Sequence, residues 1–339
     1  MKYSVLVSFF ILVIILVSCT EKEDPVKVLN TALISDIYGW DDKGLSQYSK
    51  SGMEYMGTLE NIAPFYYTST DETSINENIS LAIEDSCTLI IALSSRASEY
   101  IIASAIANPE IDFILIDHEA DTSLQNLQCV VFDTEEAAYP CGFLAAAYAD
   151  MSEESNPAAG CILASEYPEA DSIGRAYANG IDHYNELYNR GVASHTFNTV
   201  SISDPDESAA ATDSLVTNAG ATIIFPVSGL SNSGAYARIA ELDLAAIGME
   251  LDAYYDYPDY KEIFLTSCVK RYDLAVADKV LEFASTYFNG NKTVHYRLSN
   301  QGVWLAGYHD FLGSVPDSIT QEINVIITDI ISGSLNPLE

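Results

Sequence analysis

Residues 36–47 read Asp-Ile-Tyr-Gly-Trp-Asp-Asp-Lys-Gly-Leu-Ser-Gln and gather the densest set of groups in the chain that could handle a small polar molecule. Asp41, Asp42 and Gln47 can exchange hydrogen bonds with hydroxyls or with the edge of a ring, and Tyr38 and Trp40 offer flat faces on which a ring can stack. The same residues also suit a helix-capping loop with solvated acids, and spacing alone does not choose between the two. Asp41-Asp42 is the one pair that could supply a poised acid and base. No GxSxG elbow, phosphate-binding loop or CxxC pair accompanies it, and the five histidines never fall at metal-ligand spacing. A complete catalytic constellation is missing, and neither a metal nor a cofactor is called for.

This junction is placed by the elements around it. Residues 28–36 form an apolar run ending in acid, and 44–56 are helix-like, so the loop lies beyond the carboxyl end of a strand and at a helix N-terminus, where open α/β sheets bind ligands. The rhythm then repeats. Residues 88–94 read as a fully buried strand, 98–107 as a helix stopped by Asn108-Pro109, and 112–117 and 129–133 as strands. An Ala-rich helix runs through Met151, followed by strand 160–164, helix 172–188, strand 221–227 and helix 234–242. Short apolar strands separated by helical stretches indicate βαβ units, hence an α/β protein with parallel sheets covered on both faces. In the last quarter, 262–269 is strand-like and 273–288 is a helix closed by Asn289-Gly290. Residues 294–305 read as one extended strand, and Pro316 opens a final amphipathic helix to about Ser332.

The N-terminus sets the compartment. Lys2, an apolar run from Val5 to Val17 and the sequence Leu-Val-Ser-Cys at 16–19 make a secretory signal too short to span a membrane. The cysteine at the cleavage point resembles a bacterial lipobox. This predicts a signal peptide over 1–18, a mature chain beginning at lipid-modified Cys19, and a polar tether over 19–30. The remaining cysteines, Cys87, Cys129, Cys141, Cys161 and Cys268, have small or apolar neighbours and suit buried core positions better than a disulfide framework.

Composition narrows the partners. The chain of 339 residues is 48% hydrophobic and 19% charged, which is globular, and long enough for two lobes of roughly 100–200 residues each. Its formal charge is −34, spread along the sequence, so the surface repels nucleic acid and anionic lipid headgroups while leaving a neutral ligand in a cleft unaffected.

The 36–47 junction resembles the Asp-Asp-Lys-Ser-Phe-Asn-Gln signature of the basic membrane protein family of lipoproteins, whose characterised members are purine nucleoside-binding proteins of ABC transporters. Further matches follow in family order: Glu136-Ala137-Ala138-Tyr139-Pro140-Cys141-Gly142, the Gly229 to Gly234 turn before a helix, and Ile247-Gly248-Met249-Glu250-Leu251-Asp252. Ser267-Cys268-Val269-Lys270 and Gln301-Gly302-Val303 complete the set. The resemblance implies a type I periplasmic binding protein: two Rossmann-like lobes joined by three crossovers, with residues 31–137 and 270–296 in lobe 1 and residues 138–269 and 297–339 in lobe 2.

It also implies site roles. Asp41, Asp42 and Gln47 would line the first lobe's wall, Gly229 would belong to the second lobe's turn, and Tyr177 would face the base. Glu250 would receive sugar hydroxyls, and Lys270 would be the cleft lysine. Leu45 stands where the family has a stacking Phe, Ser46 where it has Asn and Glu250 where it has Asp, so Tyr38 or Trp40 is called on for the missing stack. The partners implied are a purine nucleoside or similar solute, an ABC permease, and a membrane reached through the lipid, with a monomer as the default. A ligand-sensing or adhesive surface lipoprotein on the same fold stays open, as does a nucleoside-directed hydrolase.

Overall fold

The computed structural model describes residues 28–59, 61–120, 123–152, 155–285 and 287–339. The signal peptide, Cys19 and most of the tether lie outside the described residues.

Two sheets of six strands form the frame. The first contains β1 (Leu29–Ile34), β2 (Ile62–Tyr67), β3 (Leu89–Leu93), β4 (Asp112–Ile116), β5 (Leu127–Phe132) and β11 (Lys292–Tyr296), in the order β11-β5-β4-β3-β1-β2, all parallel. The second contains β6 (Ala158–Ala164), β7 (Ala193–Thr199), β8 (Ala221–Val227), β9 (Ala245–Glu250), β10 (Phe264–Lys270) and β12 (Val303–Leu305), in the order β12-β10-β9-β8-β6-β7. Only β12 is antiparallel, against β10. Strands such as β3 and β6 are buried at every residue, because helices cover both faces of a parallel sheet.

The helices are α1 (Leu45–Met56), α2 (Glu72–Glu84), α3 (Ser98–Ala107), α4 (Glu135–Asp150), α5 (Ala170–Tyr188), α6 (Pro205–Ala219), α7 (Asn232–Glu241), α8 (Ala253–Asp256), α9 (Tyr272–Ala284) and α10 (Asp317–Ser332). Helix α9 packs on α1 in lobe 1, while α4 packs on α5 and α10 in lobe 2. The chain therefore passes between lobes three times: between β5 and α4, between β10 and α9, and between β11 and β12. This is the type I periplasmic binding protein fold. Close packing of α4 on α5 depends on Gly142 and Gly180, since a Cβ at either would run into the backbone of the facing helix, at Tyr177 and Tyr139 respectively. All five described cysteines are buried and free.

Two expectations need correction. Residues 294–305 are not one strand. They comprise β11, a short 3-10 turn over 298–300 and β12, which lie in different sheets and hold a crossover between them. Helix α9 ends at Ala284 instead of Phe288. Gln128 donates to the Asn289 carbonyl (2.8 Å) and the Asn291 N–H donates to the Leu124 and Leu127 carbonyls (2.9 Å each), which pulls the segment off the helical path and onto β5. The sequence expectation omits strands β2 and β7. Each is an edge strand, with Pro64 breaking the apolar run of β2 and exposed polar residues from Ser194 to Thr196 in β7.

Candidate functional site

Both sheets point their carboxyl ends at a cavity between the lobes. Lobe 1 supplies Asp36 and Tyr38 beyond β1, Asp42 to Leu45 at the start of α1, Ser94 to Arg96 beyond β3, and Asp117 beyond β4. Lobe 2 supplies Glu166 and Tyr167 beyond β6, Gly229, Leu230 and Asn232 beyond β8, Met249 and Glu250 at the end of β9, and Tyr257 after α8. Four of these residues other than glycine have positive φ: Lys43, Ser94, Asp117 and Glu250. Left-handed backbone costs ordinary residues on the order of 1–3 kcal/mol each and collects where surrounding structure over-determines a functional geometry.

Glu250 is the centre of the lobe 2 wall. Its Oε1 accepts from Tyr167 Oη at 2.7 Å and from Tyr272 Oη at 3.4 Å. Burial raises its pKa above the usual carboxylate value, partly offset by nearby Lys270 and the Tyr167 hydrogen bond. Gly44 lies against it from lobe 1; a Cβ there would sit 2.8 Å from Glu250 Oε2. Below the cavity, the fully buried ammonium of Lys270 meets Asp117 Oδ1 at 3.0 Å and Glu169 Oε2 at 2.6 Å. The rings of Phe132, Tyr167 and Tyr272 surround it at 5.3–5.8 Å. Burial works against its charge, yet Asp117 and Glu169 hold its pKa well above the ordinary value.

At the rim, Asp256 joins the lobes. Its carboxylate accepts from Tyr48 Oη at 2.6 Å and from Gln47 Nε2 at 3.5 Å, and its backbone carbonyl accepts from Lys43 Nζ at 3.1 Å. All three donors come from lobe 1.

The structure brings Tyr38, Asp42, Gly229 and Glu250 onto the cavity. Asp42 is largely committed to local structure, since its carboxylate accepts the backbone N–H groups of Gly44, Ser46 and Gln47 and so caps α1. Asp41 is exposed on the loop, outside the lining. Gln47 faces Asp256 instead of the cavity. Trp40 turns away to donate to Thr68 Oγ1 (2.8 Å) and pack edge-on to Tyr66, so Tyr38 remains as the lobe 1 ring. Tyr177 is fully buried against Phe225 and does not face the cavity, because the backbone contact of α5 with Gly142 forces its ring into the lobe 2 core. Lys270 acts from beneath, through Asp117, and is not part of the lining.

Arg96, Asp117, Tyr167 and Tyr257 are lining residues that the sequence expectation lacks. Asp117 and Arg96 lie just past the apolar runs at 112–117 and 88–94, so the rule that ligands bind at strand carboxyl ends points toward them. Tyr257 follows no strand and carries no such mark.

A family model described as Bmp, an ABC transporter substrate-binding protein of PnrA-like type, matches residues 33–334. The chain belongs to this family. It is a family of extracytoplasmic substrate-binding proteins that engage a small ligand and a permease, not of enzymes, which removes the hydrolase reading. Among curated relatives, basic membrane protein D of Borreliella burgdorferi is 23% identical over 304 residues, covering 88% of this chain and 85% of that protein. The CD4+ T-cell-stimulating antigen of Listeria monocytogenes is 22% identical over 303 residues, covering 84% and 82%. Among solved structures, an ABC transporter solute-binding protein from Aeropyrum pernix superposes with TM-score 0.79 at 18% identity, covering 91% and 92%. A transcriptional activator of the comK gene from Bacillus halodurans superposes at 0.73 with 17% identity, covering 91% and 99%, so the fold is shared across different roles. Among the described residues no helix is long and apolar enough to cross a membrane.

Proposed function

We propose that this protein is a lipid-anchored capture protein, tethered at Cys19, that closes its two lobes on a purine nucleoside and presents it to an ABC permease. The observation that carries this reading is Glu250. It is a carboxylate on the interlobe cavity, held by Tyr167, with Tyr38, Tyr167 and Tyr257 as the aromatic lining. Such a carboxylate accepts two neighbouring hydroxyl donors at once, as a ribose presents, and tyrosine rings cover a flat base. Asp36, Asp42, Asp117, Glu166 and Glu250 outnumber the lining cations Lys43 and Arg96, which favours an uncharged nucleoside over its phosphates.

The test is mass spectrometry of small molecules released on denaturing the purified protein, followed by calorimetry with the ligand found. A nucleoside is expected, with Glu250→Ala weakening it by roughly a hundredfold through loss of a charged acceptor. Absence of nucleoside heat, or an unchanged Glu250→Ala, overturns the assignment.

A further inference from the structure

We infer that the base held in this cavity is a 6-oxopurine and that Arg96 reads it; the inference rests on the nucleoside reading above and specifies it. Arg96 follows β3 through Ser94, whose backbone is left-handed (φ 68°) and whose Oγ accepts the Arg96 backbone N–H at 3.3 Å. Ser94 Oγ in turn donates to Asp36 Oδ1 at 2.9 Å, and Arg96 Nη1 donates to Asp36 Oδ2 at 2.9 Å. The guanidinium is thereby fixed in position with its charge balanced, 5.4 Å from the centre of the Tyr38 ring.

A guanidinium carries five N–H donors in a planar fork. Among the described residues, the bond to Asp36 is the one hydrogen bond made by the side chain of Arg96, and Arg96 lines the cavity. The other lining cation, Lys43, is committed to the Asp256 carbonyl and the face of Tyr257. Arg96 is therefore the lining's cationic fork for the ligand, lying over the ring of Tyr38. With five carboxylates in the same lining, an anionic partner is disfavoured, and the fork calls for a neutral group with two adjacent in-plane acceptors.

The O6 and N7 atoms of guanine or hypoxanthine form that pair, and arginine meets them with two parallel hydrogen bonds. Adenine places an amino donor beside N7, which sets donor against donor. Uracil flanks each carbonyl with an N–H and offers no adjacent acceptor pair.

Calorimetry of the native protein with guanosine, inosine, adenosine and uridine tests this. Guanosine and inosine should bind alike and at least tenfold more tightly than the other two, the scale of one bidentate base contact. Replacing guanosine by 7-deazaguanosine, which lacks the N7 acceptor, should cost about the same factor without any change to the protein. Arg96→Lys keeps a cation beside Asp36 but removes the fork, and should bring the inosine-to-adenosine ratio below about threefold. Equal binding of inosine and adenosine by the native protein, an unaffected 7-deazaguanosine, or a ratio that survives in Arg96→Lys overturns the inference while leaving nucleoside capture standing. Failure of every nucleoside to bind protein that melts normally overturns both.

Discussion

Lys270 ends β10 and Lys279 lies in the helix that follows, and both ammonium groups are almost wholly withdrawn from water. Their company differs. Lys270 is a single cation against Asp117 and Glu169, with Glu250 and Glu135 close by, and its acids come from both lobes. Lys279 shares one acid, Glu282, with a second lysine, Lys292 (3.0 Å), and with the amide of Gln128 (3.0 Å), all within lobe 1.

The carboxyls respond in opposite directions. Burial and surplus negative charge push Glu169 up to about 7, against the pull of Lys270. Burial of Glu282 is overcome by hydrogen bonds from Lys279, Gln128 and Lys292, which bring it down to about 2. The same residue types thus build a relaxed cluster where lobe 1 needs only rigidity, and an under-compensated one beneath the cavity. Perturbed groups cluster at functional sites, and this cluster lies beneath the cavity.

The largest expected contrast is in stability. Lys270→Met removes the one ammonium that the described residues place among several acids and should cost ~3–5 kcal/mol in denaturant unfolding, whereas Lys279→Met leaves Glu282 with Lys292 and should cost ~1–2 kcal/mol. Equal losses would break the comparison.

Next comes pH dependence. Glu169 has a folded pKa above its ordinary 4.5, so the folded state keeps a proton the unfolded chain has released. Its contribution is complete below about pH 4.5 and is lost as pH rises through about 7. Glu282 is the reverse: its contribution is present above 4.5 and is lost as pH falls through about 2. Denaturant midpoints followed against pH should show Glu169→Gln flattening the upper window and Glu282→Gln the lower, each by on the order of 2 kcal/mol. Slopes of the same sign in the two windows would contradict the charge-count argument.

The smallest effect belongs to the rim, where Asp256 faces one lysine and one tyrosine and charge is nearly balanced. Asp256→Asn should leave unfolding within about 0.5 kcal/mol of the native value, as expected for a half-solvated pair. It should weaken ligand binding roughly threefold to tenfold, mostly through faster release, because it stabilises only the closed arrangement. A stability loss as large as that of Lys270→Met would place the rim with the buried clusters instead.

Much of the frame is legible in the sequence because buried parallel strands declare themselves as apolar runs. Helix α3 and strand β8 occupy the expected residues, 98–107 and 221–227. Edge strand β7 is hidden because exposed polar residues interrupt it, and β2 because Pro64 reads as a strand breaker. The site is legible in position more than in orientation. Motif order brings Asp42, Gly229 and Glu250 to the cavity, but it cannot tell that Trp40 finds a partner in Thr68 or that a helix–helix contact turns Tyr177 inward. Arg96 lies where the strand-end rule points, just past the run at 88–94, but that rule names a place and not a role. Its meaning depends on Asp36 and Tyr38, brought beside it by strand pairing.

Gly44 gives the closure its limit. With no side chain there, the backbone at the start of α1 comes to rest against the carboxylate of Glu250, which Tyr167 and Tyr272 keep from swinging aside. In mechanical terms it is a doorstop cut thin: a methyl group at this point is a shim to which the end of the Glu250 side chain would have to yield. The group that would feel the ligand's hydroxyls thus also feels the other lobe.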